Sequence, residues 1–464
     1  MPFTGYPFLL FFLPAGLGGF AAFRKLGADQ LSIWWLLLIS IVFCAWSNAT
    51  DLIVLAVSMG VSFCAGRVLH STVEAGRRRM LLVAGLLFDG GLLLSFKVMG
   101  RLPLGISFYT FVQAYYLIDI YRKDAVPAGV ADYLLAVTFF PKFVAGPIVR
   151  PADFLGQRRP IAQEAIASGA AMFAMGLVKK LLADHCAQWA GAVFSAAEHP
   201  LPAIGMCDAW IGVLAYTFQI YFDFSGYTDM AIGLGAFLGW RLPPNFNSPY
   251  KARNMIDFWR RWHMTLTAFL TENIYFRLPG QRKGAARRHL NLMITMVICG
   301  LWHGASWTFA IWGAYHGACL VVNHASRKTQ ASRHSTVVAT ALTFACVTVG
   351  WALFGARSLR GAWRLIGRMF GLAGAPLTPQ LFDSASVAAA ALYLGALAAL
   401  ACAGPNTQEI LARHKVSINA AAGAVRSLHP AWIYPGLATL WVIGVLLLLS
   451  RGSGGGSPFI YAIF

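Results

Sequence analysis

The sequence predicts an all-α polytopic membrane protein, and three observations carry that expectation. Hydrophobic residues fill 58% of the 464 positions and charged residues only 12%, where a soluble chain carries roughly a quarter charged. The apolar residues gather into runs near the length of about 20 residues that a membrane-spanning helix needs. Lysine and arginine collect in the gaps between those runs, as they do in cytoplasmic loops.

In chain order the runs are Phe8–Phe23, Ile33–Trp46, Leu52–Leu69, Met80–Phe96, Ala131–Val149, Ala165–Ala183, Ala209–Phe222, Met230–Leu238, Leu290–Ile311, Val337–Phe354, Val387–Ala403 and Ile433–Leu449. Several are short or broken, so about 10–12 membrane segments plus interfacial helices are expected. The basic clusters Arg24–Lys25 and Arg77–Arg78–Arg79 flank a hairpin whose polar turn is Asn48–Asp51. That pattern predicts both clusters inside and the turn and N-terminus outside. The net charge of +19 therefore reads as membrane topology and attraction to anionic lipid headgroups, not as nucleic-acid binding. The start MPFTGYPFLLFFLPAG has no basic n-region and reads as a retained first helix. The eight cysteines are scattered through apolar runs without a CxxC pair, which predicts small buried hydrophobes rather than disulfides or a zinc site.

One membrane domain is expected over 1–464, in three stretches. Residues 1–101 read as ordinary spanning helices, 102–317 as a polar centre, and 318–464 as C-terminal helices with an amphipathic segment near 357–370. In the centre, Pro, Gly, Asp, Asn, His and Arg interrupt the apolar runs. Irregular backbone at membrane depth survives only where protein buries it or a water-filled cavity lines it. PKFVAGPIVRP (Pro141–Pro151) marks a broken or re-entrant element, and RLPPNFNSPYKARN (Arg241–Asn254), with three prolines and three asparagines, is a loop. The following MIDFWRRWHMTLTAFLTENIYF predicts a helix with Phe258, Trp262, Leu266 and Phe269 at helical spacing. In RSLRGAWRLIGRMFG, Arg357, Arg360, Arg364 and Arg368 fall on one face, and Leu359, Trp363, Ile366 and Phe370 nearer the other. A solvated basic face at the headgroups is the expected role.

Among chemistry-bearing residues His303 comes first, because an ionisable group inside a membrane segment is costly to bury. It lies in GLWHGASWTFAIWG, where Gly300 and Gly304 allow close backbone approach and Trp302 and Trp307 could wall a pocket. His263 lies in FWRRWHMTL beside Arg260 and Arg261, whose like charge favours the neutral imidazole that a general base needs. His316, in WGAYHG, reads as structural. Asp223 and Asp229, in YFDFSGYTDMAIGLG, are six apart and on different helix faces. One is expected to cap a helix and the other to pair with an arginine. The histidines lack metal-site spacing, and there is no GxSxG, P-loop or GxGxxG after a strand. The residues alone leave two readings open: a histidine general base in acyl transfer, and a proton-coupled transporter.

LPLGISFYTF, FVAGPIVRP, YFDFSGYTDMAIGLG, RLPPNFNSPY, DFWRRWHMTL and GLWHGASWTFAIWGAYHG, in this order between Leu102 and Gly317, together resemble the membrane-bound O-acyltransferase (MBOAT) family, in particular its bacterial alginate O-acetyltransferase-like branch. The ending SPFIYAIF is similar to that branch's usual ending. The resemblance implies a helical shell around a thinned core with funnels on both faces, His303 as the catalytic residue, and His263 as a second functional histidine. It also implies an O-acetyltransferase of the bacterial inner membrane, with acetyl-CoA as donor substrate from the cytoplasm and no permanent cofactor or metal. An exported polysaccharide and a periplasmic or extracytoplasmic acetyltransferase or polysaccharide-modifying partner would complete the system. Arg260, Arg261, Arg253 and Lys251 are then candidates for the donor's phosphates, and Trp302, Trp307, Asp223, Asp229 and Asn247 for the pocket. The branch reads RDYLYIPLGGNRKG where this chain has TENIYFRLPGQRKG (Thr271–Gly284), which bears on acceptor and partner. Transfer of another acyl or D-alanyl group to a cell-wall polymer is the alternative within the family. A glycan or acyl-carrier transporter is the alternative outside it.

Overall fold

The computed structural model describes residues 1–46, 48–157, 163–200, 203–280, 284–326, 335–374, 376–413 and 459. The expected apolar run at 433–449, the ending at 457–464 apart from Phe459, and the basic residues at 281–283 lie outside these. Among the described residues there are 18 α-helices and no strand. Six of the described segments are long and apolar enough to cross a membrane: Pro7–Lys25, Thr50–Ser71, Ala75–Met99, Ala165–Ala197, Thr336–Gly355 and Ser384–Cys402. Their exposed side chains, such as Val57, Val61, Val83, Leu87 and Leu94, suit a solvent as apolar as leucine itself. The chain is a multi-pass, all-α membrane protein.

The residues form two compact units. The first combines 1–178 with 226–244 and the C-terminal end from 411. It opens with α1 (Leu13–Lys25), α2 (Asp29–Ala45), α3 (Ala49–Ser71) and α4 (Ala75–Met99). Helix α5 (Ile106–Arg122) is almost wholly buried although it carries Ser107, Thr110, Gln113 and Asp119. Burial of such groups requires partners. Thr110 Oγ1 donates to Ile106 O (2.8 Å) and Ser58 Oγ to Gln113 Oε1 (3.0 Å), while Arg150 lies 3.8 Å from Asp119. As expected, the PKFVAGPIVRP stretch is broken. Helices α6 (Val130–Thr138) and α7 (Phe140–Phe143) are followed by irregular chain before α8 (Pro151–Leu155). All of it from Phe139 to Val149 is buried in protein, the condition for irregular backbone at this depth.

One basic residue of the 77–79 cluster has a structural task. Buried Arg78 donates to Leu69 O (2.6 Å) and Thr72 O (3.2 Å) at the end of α3, and to Ile120 O (3.1 Å) and Tyr121 O (2.9 Å) near the end of α5. These are carbonyls that a helix terminus leaves without partners of its own, so one guanidinium closes two helices.

The second unit holds 179–225 and 245–410. Helices α9 (Gln163–Ala197) and α10 (Met206–Phe237) contribute to both units. The two apolar runs read around Asp223 and Asp229 are thus one continuous helix. Then come α11 (Met255–Arg261), α12 (Met264–Asn273), α13 (Ala285–His303), α14 (Trp307–Ala325), α15 (Thr336–Gly355), α16 (Leu359–Met369), α17 (Ser384–Cys402) and α18 (Thr407–Arg413). A core of small side chains, Val193, Ala196, Ala197, Val213 and Ala352, receives Leu365 and Met369 of α16. The spacing that set arginines apart from apolar residues does not itself mark the buried face of that helix. Ala362, Leu365 and Met369 form its buried stripe, whereas Trp363 and Phe370 point outward at 59% and 55% exposure.

Replacing Arg78 with Gln should lower stability by about 2 kcal/mol or more, since a hydrogen bond from a charged donor contributes about 1.5–3 kcal/mol. The unfolding midpoint in detergent should fall. The neighbouring Arg77→Gln change, at an exposed position, should leave it in place.

Candidate active site

Helix α13 ends on His303, and α14 begins three residues later at Ser306–Trp307. The hairpin is tight because its seam is glycine. A side chain on Gly300 would run into the Phe309 carbonyl, and one on Gly313 into the Met296 carbonyl. A side chain on Gly304 would strike the Phe309 ring. The expectation of close approach at Gly300 and Gly304 is met, and it brings the ring that follows the turn back over His303. The imidazole is 4% exposed and ringed by Trp302 (4.5 Å between centroids), Phe354 (5.0 Å), Trp312 (5.4 Å) and Phe309 (6.3 Å). Trp307 is 75% exposed, so the walls come from Phe309, Trp312 and Phe354 in its stead. The last two belong to helix faces that sequence proximity to His303 does not reveal.

His263 sits where a helix was expected to run through. The chain breaks there into α11 and α12, and His263 adopts φ 42°, ψ 56°, a left-handed conformation uncommon outside glycine and asparagine. The cause lies upstream, in RLPPNFNSPY. Met264 N donates to Asn245 O (2.9 Å) and Asn247 N donates to Arg261 O (3.0 Å). The Asn245 side-chain oxygen accepts from Thr265 Oγ1 (2.6 Å) and Thr265 N (3.3 Å). These bonds take backbone groups that a continuous helix would need. Asn245 is fully buried and is the residue that sequence reasoning missed; only the asparagine-rich composition of the loop signalled it. The bend turns His263 inward, 1% exposed. Its ring meets Phe224 edge-on at 4.7 Å and lies 6.2 Å from Trp302. One indole therefore borders both histidines.

His316 is fully buried among Trp312 (4.9 Å), Trp259 (5.4 Å) and Tyr315 (5.5 Å). Gly350 of α15 makes room for it: a Cβ there would come within 2.5 Å of Nε2. Packing of this kind fits its expected structural role.

The four cations divide. Arg253 and Arg260 are exposed and line a cavity of about 860 Å³ together with Tyr315, Asn323, Thr336 and Cys346. Arg261 is held by Asp257 (2.8 Å) and donates to Asn247 O (3.2 Å), and Lys251 lies 3.7 Å from Glu409. Asn247 is exposed and accepts from Asn406 Nδ2 (3.1 Å), so it faces the loop's surroundings and not the imidazoles. Asp223 is buried and paired with Lys180 (2.6 Å), which also holds Asp184 (2.8 Å). Its partner is a lysine one helix away, not the expected arginine. Buried Asp229 belongs to the other compact unit. Neither caps a helix, since α10 runs past both. Among the described residues no three of His, Cys, Asp and Glu gather as a metal site would require.

The strain at His263 is measurable. His263→Ala should unfold about 1 kcal/mol more easily than His263→Asn, because asparagine tolerates the left-handed region that costs other residues about 1–2 kcal/mol. Equal midpoints in a thermal melt would mean that the bend stores no strain.

The sequence that builds this site has counterparts among known proteins. The profile of the "MBOAT, membrane-bound O-acyltransferase family" matches residues 121–357, just over half of the chain. A probable alginate O-acetylase of Pseudomonas aeruginosa is 36% identical over 406 residues, covering 80% of this chain and 75% of that protein. A peptidoglycan O-acetyltransferase of Helicobacter pylori is 35% identical over 424 residues, covering 80% of each. A teichoic acid D-alanyltransferase of Streptococcus thermophilus is 29% identical over 248 residues, 48% of this chain and 57% of that protein. The matched region takes in both histidines, the NFNSPY loop and the glycine hairpin, and the chain is thereby an O-acyltransferase belonging to the membrane-bound O-acyltransferase family.

Proposed function

We propose that the protein is an acetyltransferase of the bacterial inner membrane. It takes an acetyl group from cytoplasmic acetyl-CoA and passes it across the bilayer for O-acetylation of an exported polysaccharide. The observation that carries this reading is His303, enclosed by aromatic rings at one end of α15, while the Arg253–Arg260 cavity opens at the other. Cys346 lines the cavity and Phe354 borders the imidazole. Eight residues of helix separate them, about 12 Å along the axis, a span that suits the extended arm of a pantetheine thioester. Arg253 and Arg260 take the donor's phosphates, for which guanidinium geometry is well matched. Arg261 and Lys251, held by their own carboxylates, add positive potential.

In the transfer, an acceptor hydroxyl attacks the thioester carbonyl and His303 takes its proton. A carbon–oxygen bond forms, the carbon–sulfur bond breaks, and the imidazolium returns the proton to the departing thiolate. General base catalysis contributes about 10²–10⁴-fold, and fixed alignment of the two reactants adds to it. His263, on the other side of the Trp302 indole, orients the donor or assists the proton transfer. The N-terminus faces outward, and a polysaccharide-modifying partner outside the membrane receives or directs the acetyl group. The resemblance to D-alanyltransferases supports a second reading with an aminoacyl donor, which donor competition separates from the first.

Purified protein in lipid vesicles should release labelled acetate or transfer it from acetyl-CoA, and His303→Ala should lose that turnover by about 10²-fold or more. Equal turnover by both proteins would remove His303 from the chemistry. Arg253→Gln with Arg260→Gln should raise the KM for acetyl-CoA about tenfold, the loss of one charge-assisted hydrogen bond or more, with kcat little changed. An unchanged KM would detach the cavity from the donor.

A further inference from the structure

We infer that helices α3 to α6 bind a sodium ion, held by the carboxylate of Asp89 and by oxygens of Ser58, Ser62, Gln113 and Tyr133. The site is independent of the transferase reading: none of these residues belongs to the candidate active site.

Asp89 stands near the middle of α4, fourteen residues from its start and ten from its end, in a segment long and apolar enough to cross a membrane. It is 2% exposed, and among the described residues no lysine, arginine or histidine forms an ion pair with it. An ionisable group at that depth is costly and points to a function by default, because a buried carboxylate needs a positive charge to balance it. Elsewhere this chain supplies that charge from its own side chains, as Lys180 does for Asp184 and Asp223 and Arg150 for Asp119. Around Asp89 it supplies oxygen instead. Ser62 Oγ donates to both carboxylate oxygens (3.1 Å each), an even contact that suits an ionised, acceptor-only group. Ser58, one turn earlier on α3, also faces the carboxylate and donates to Gln113 Oε1 (3.0 Å). Tyr133 of α6 is fully buried, and its hydroxyl turns toward Gln113 and Ser62 without a hydrogen-bond partner.

This ligand set selects the ion. Carboxylate, hydroxyl and amide oxygens suit hard cations. One carboxylate balances one positive charge, so a divalent ion would leave a net charge at membrane depth, where charge is expensive to hold. Oxygen pairs 3.0 and 3.1 Å apart frame space for a small ion, which favours sodium over potassium. The backbone around them is fixed. A side chain on Gly66, one turn from Ser62, would run into the Tyr116 ring, and one on Gly85, one turn from Asp89, into Leu117. Helix α5 therefore approaches both α3 and α4 closely beside the site, and Tyr116 packs on Tyr133 with ring centroids 4.6 Å apart. A proton would also neutralise Asp89, but it engages one oxygen and leaves the Tyr133 hydroxyl as it is. A cation gives the carboxylate, both serines and the tyrosine a common partner.

The test measures binding of radiolabelled sodium to the full-length protein in detergent, together with its unfolding midpoint in sodium, potassium and choline chloride at one ionic strength. Wild type should bind one sodium ion per chain, displaced by unlabelled sodium but not by an equal concentration of potassium or choline. Sodium should raise the midpoint by about 2 °C or more over choline. Asp89→Asn should bind none and melt at the same temperature in all three salts. In choline it should melt no lower than wild type, since the amide removes a buried charge that has no partner there. Ser62→Ala and Tyr133→Phe should each bind sodium about threefold to tenfold more weakly, the loss of one polar partner. If Asp89→Asn does not fold, the wild-type titration and these two milder variants decide the matter. The proposal is overturned if wild type binds no sodium, which would make Asp89 a protonated, structural carboxyl. It is equally overturned if potassium or choline acts as sodium does, or if Asp89→Asn keeps the sodium response.

Discussion

Seven hydrogen-bonding groups, on two segments fourteen to twenty residues apart, decide the shape of the candidate site. Asn245 and Asn247 draw backbone donors and acceptors at Arg261, Met264 and Thr265 away from the helix they would otherwise complete. A helix in the bilayer cannot leave such groups without partners, so the break is possible only because the loop supplies replacements. Tyr250 anchors the same loop by donating to Thr217 O (2.6 Å) on α10. Without that lattice His263 would lie on the side of an amphipathic helix. With it, the ring turns inward to the indole that also borders His303.

The same economy recurs wherever this chain buries polarity. Arg78 closes two helix ends at once, and Lys180 serves Asp184 and Asp223 together. Asp208 gathers the backbone of Gly205, Gln380 and Leu381 (2.9, 2.7 and 3.2 Å), fastening the stretch after α16 to the start of α10. Each arrangement uses one charged group to satisfy several neighbours, which is how a chain with so few charges can bury so many of them. The cations left without such duties are therefore informative, because structure does not explain them.

Much of the fold was legible because the bilayer imposes it: length, apolarity and the placement of lysine and arginine are all visible in one dimension. His303 was legible for the same reason, as a costly group in an apolar run. The bend at His263 was not. Phe258, Trp262, Leu266 and Phe269 keep a helical period through the break, since that period reports which side chains are buried and not whether the backbone is continuous. Trp307 was misleading because adjacency in sequence to His303 crosses a turn, and the chain reverses there. Asn245 could not be told from Asn247 in the loop, because burial of one and exposure of the other depend on a strand-like pairing with residues downstream. Trp363 and Phe370 were set apart from the arginines by hydrophobicity alone, which does not say which stripe of α16 is buried. The buried stripe instead follows the small side chains of the core it meets.

The latch on the NFNSPY loop also has a place in time. Asn406, at the start of α18, donates to both Asn247 Oδ1 and Ser248 Oγ, and 159 residues separate the first pair along the chain. At ordinary rates of synthesis that interval is on the order of ten seconds or more. During that time α11 to α17 are synthesised with the loop held by Thr217 upstream and by Arg261, Met264 and Thr265 shortly downstream. Every residue that bends the chain at His263 is therefore synthesised well before Asn406, the last fastening of the loop, exists.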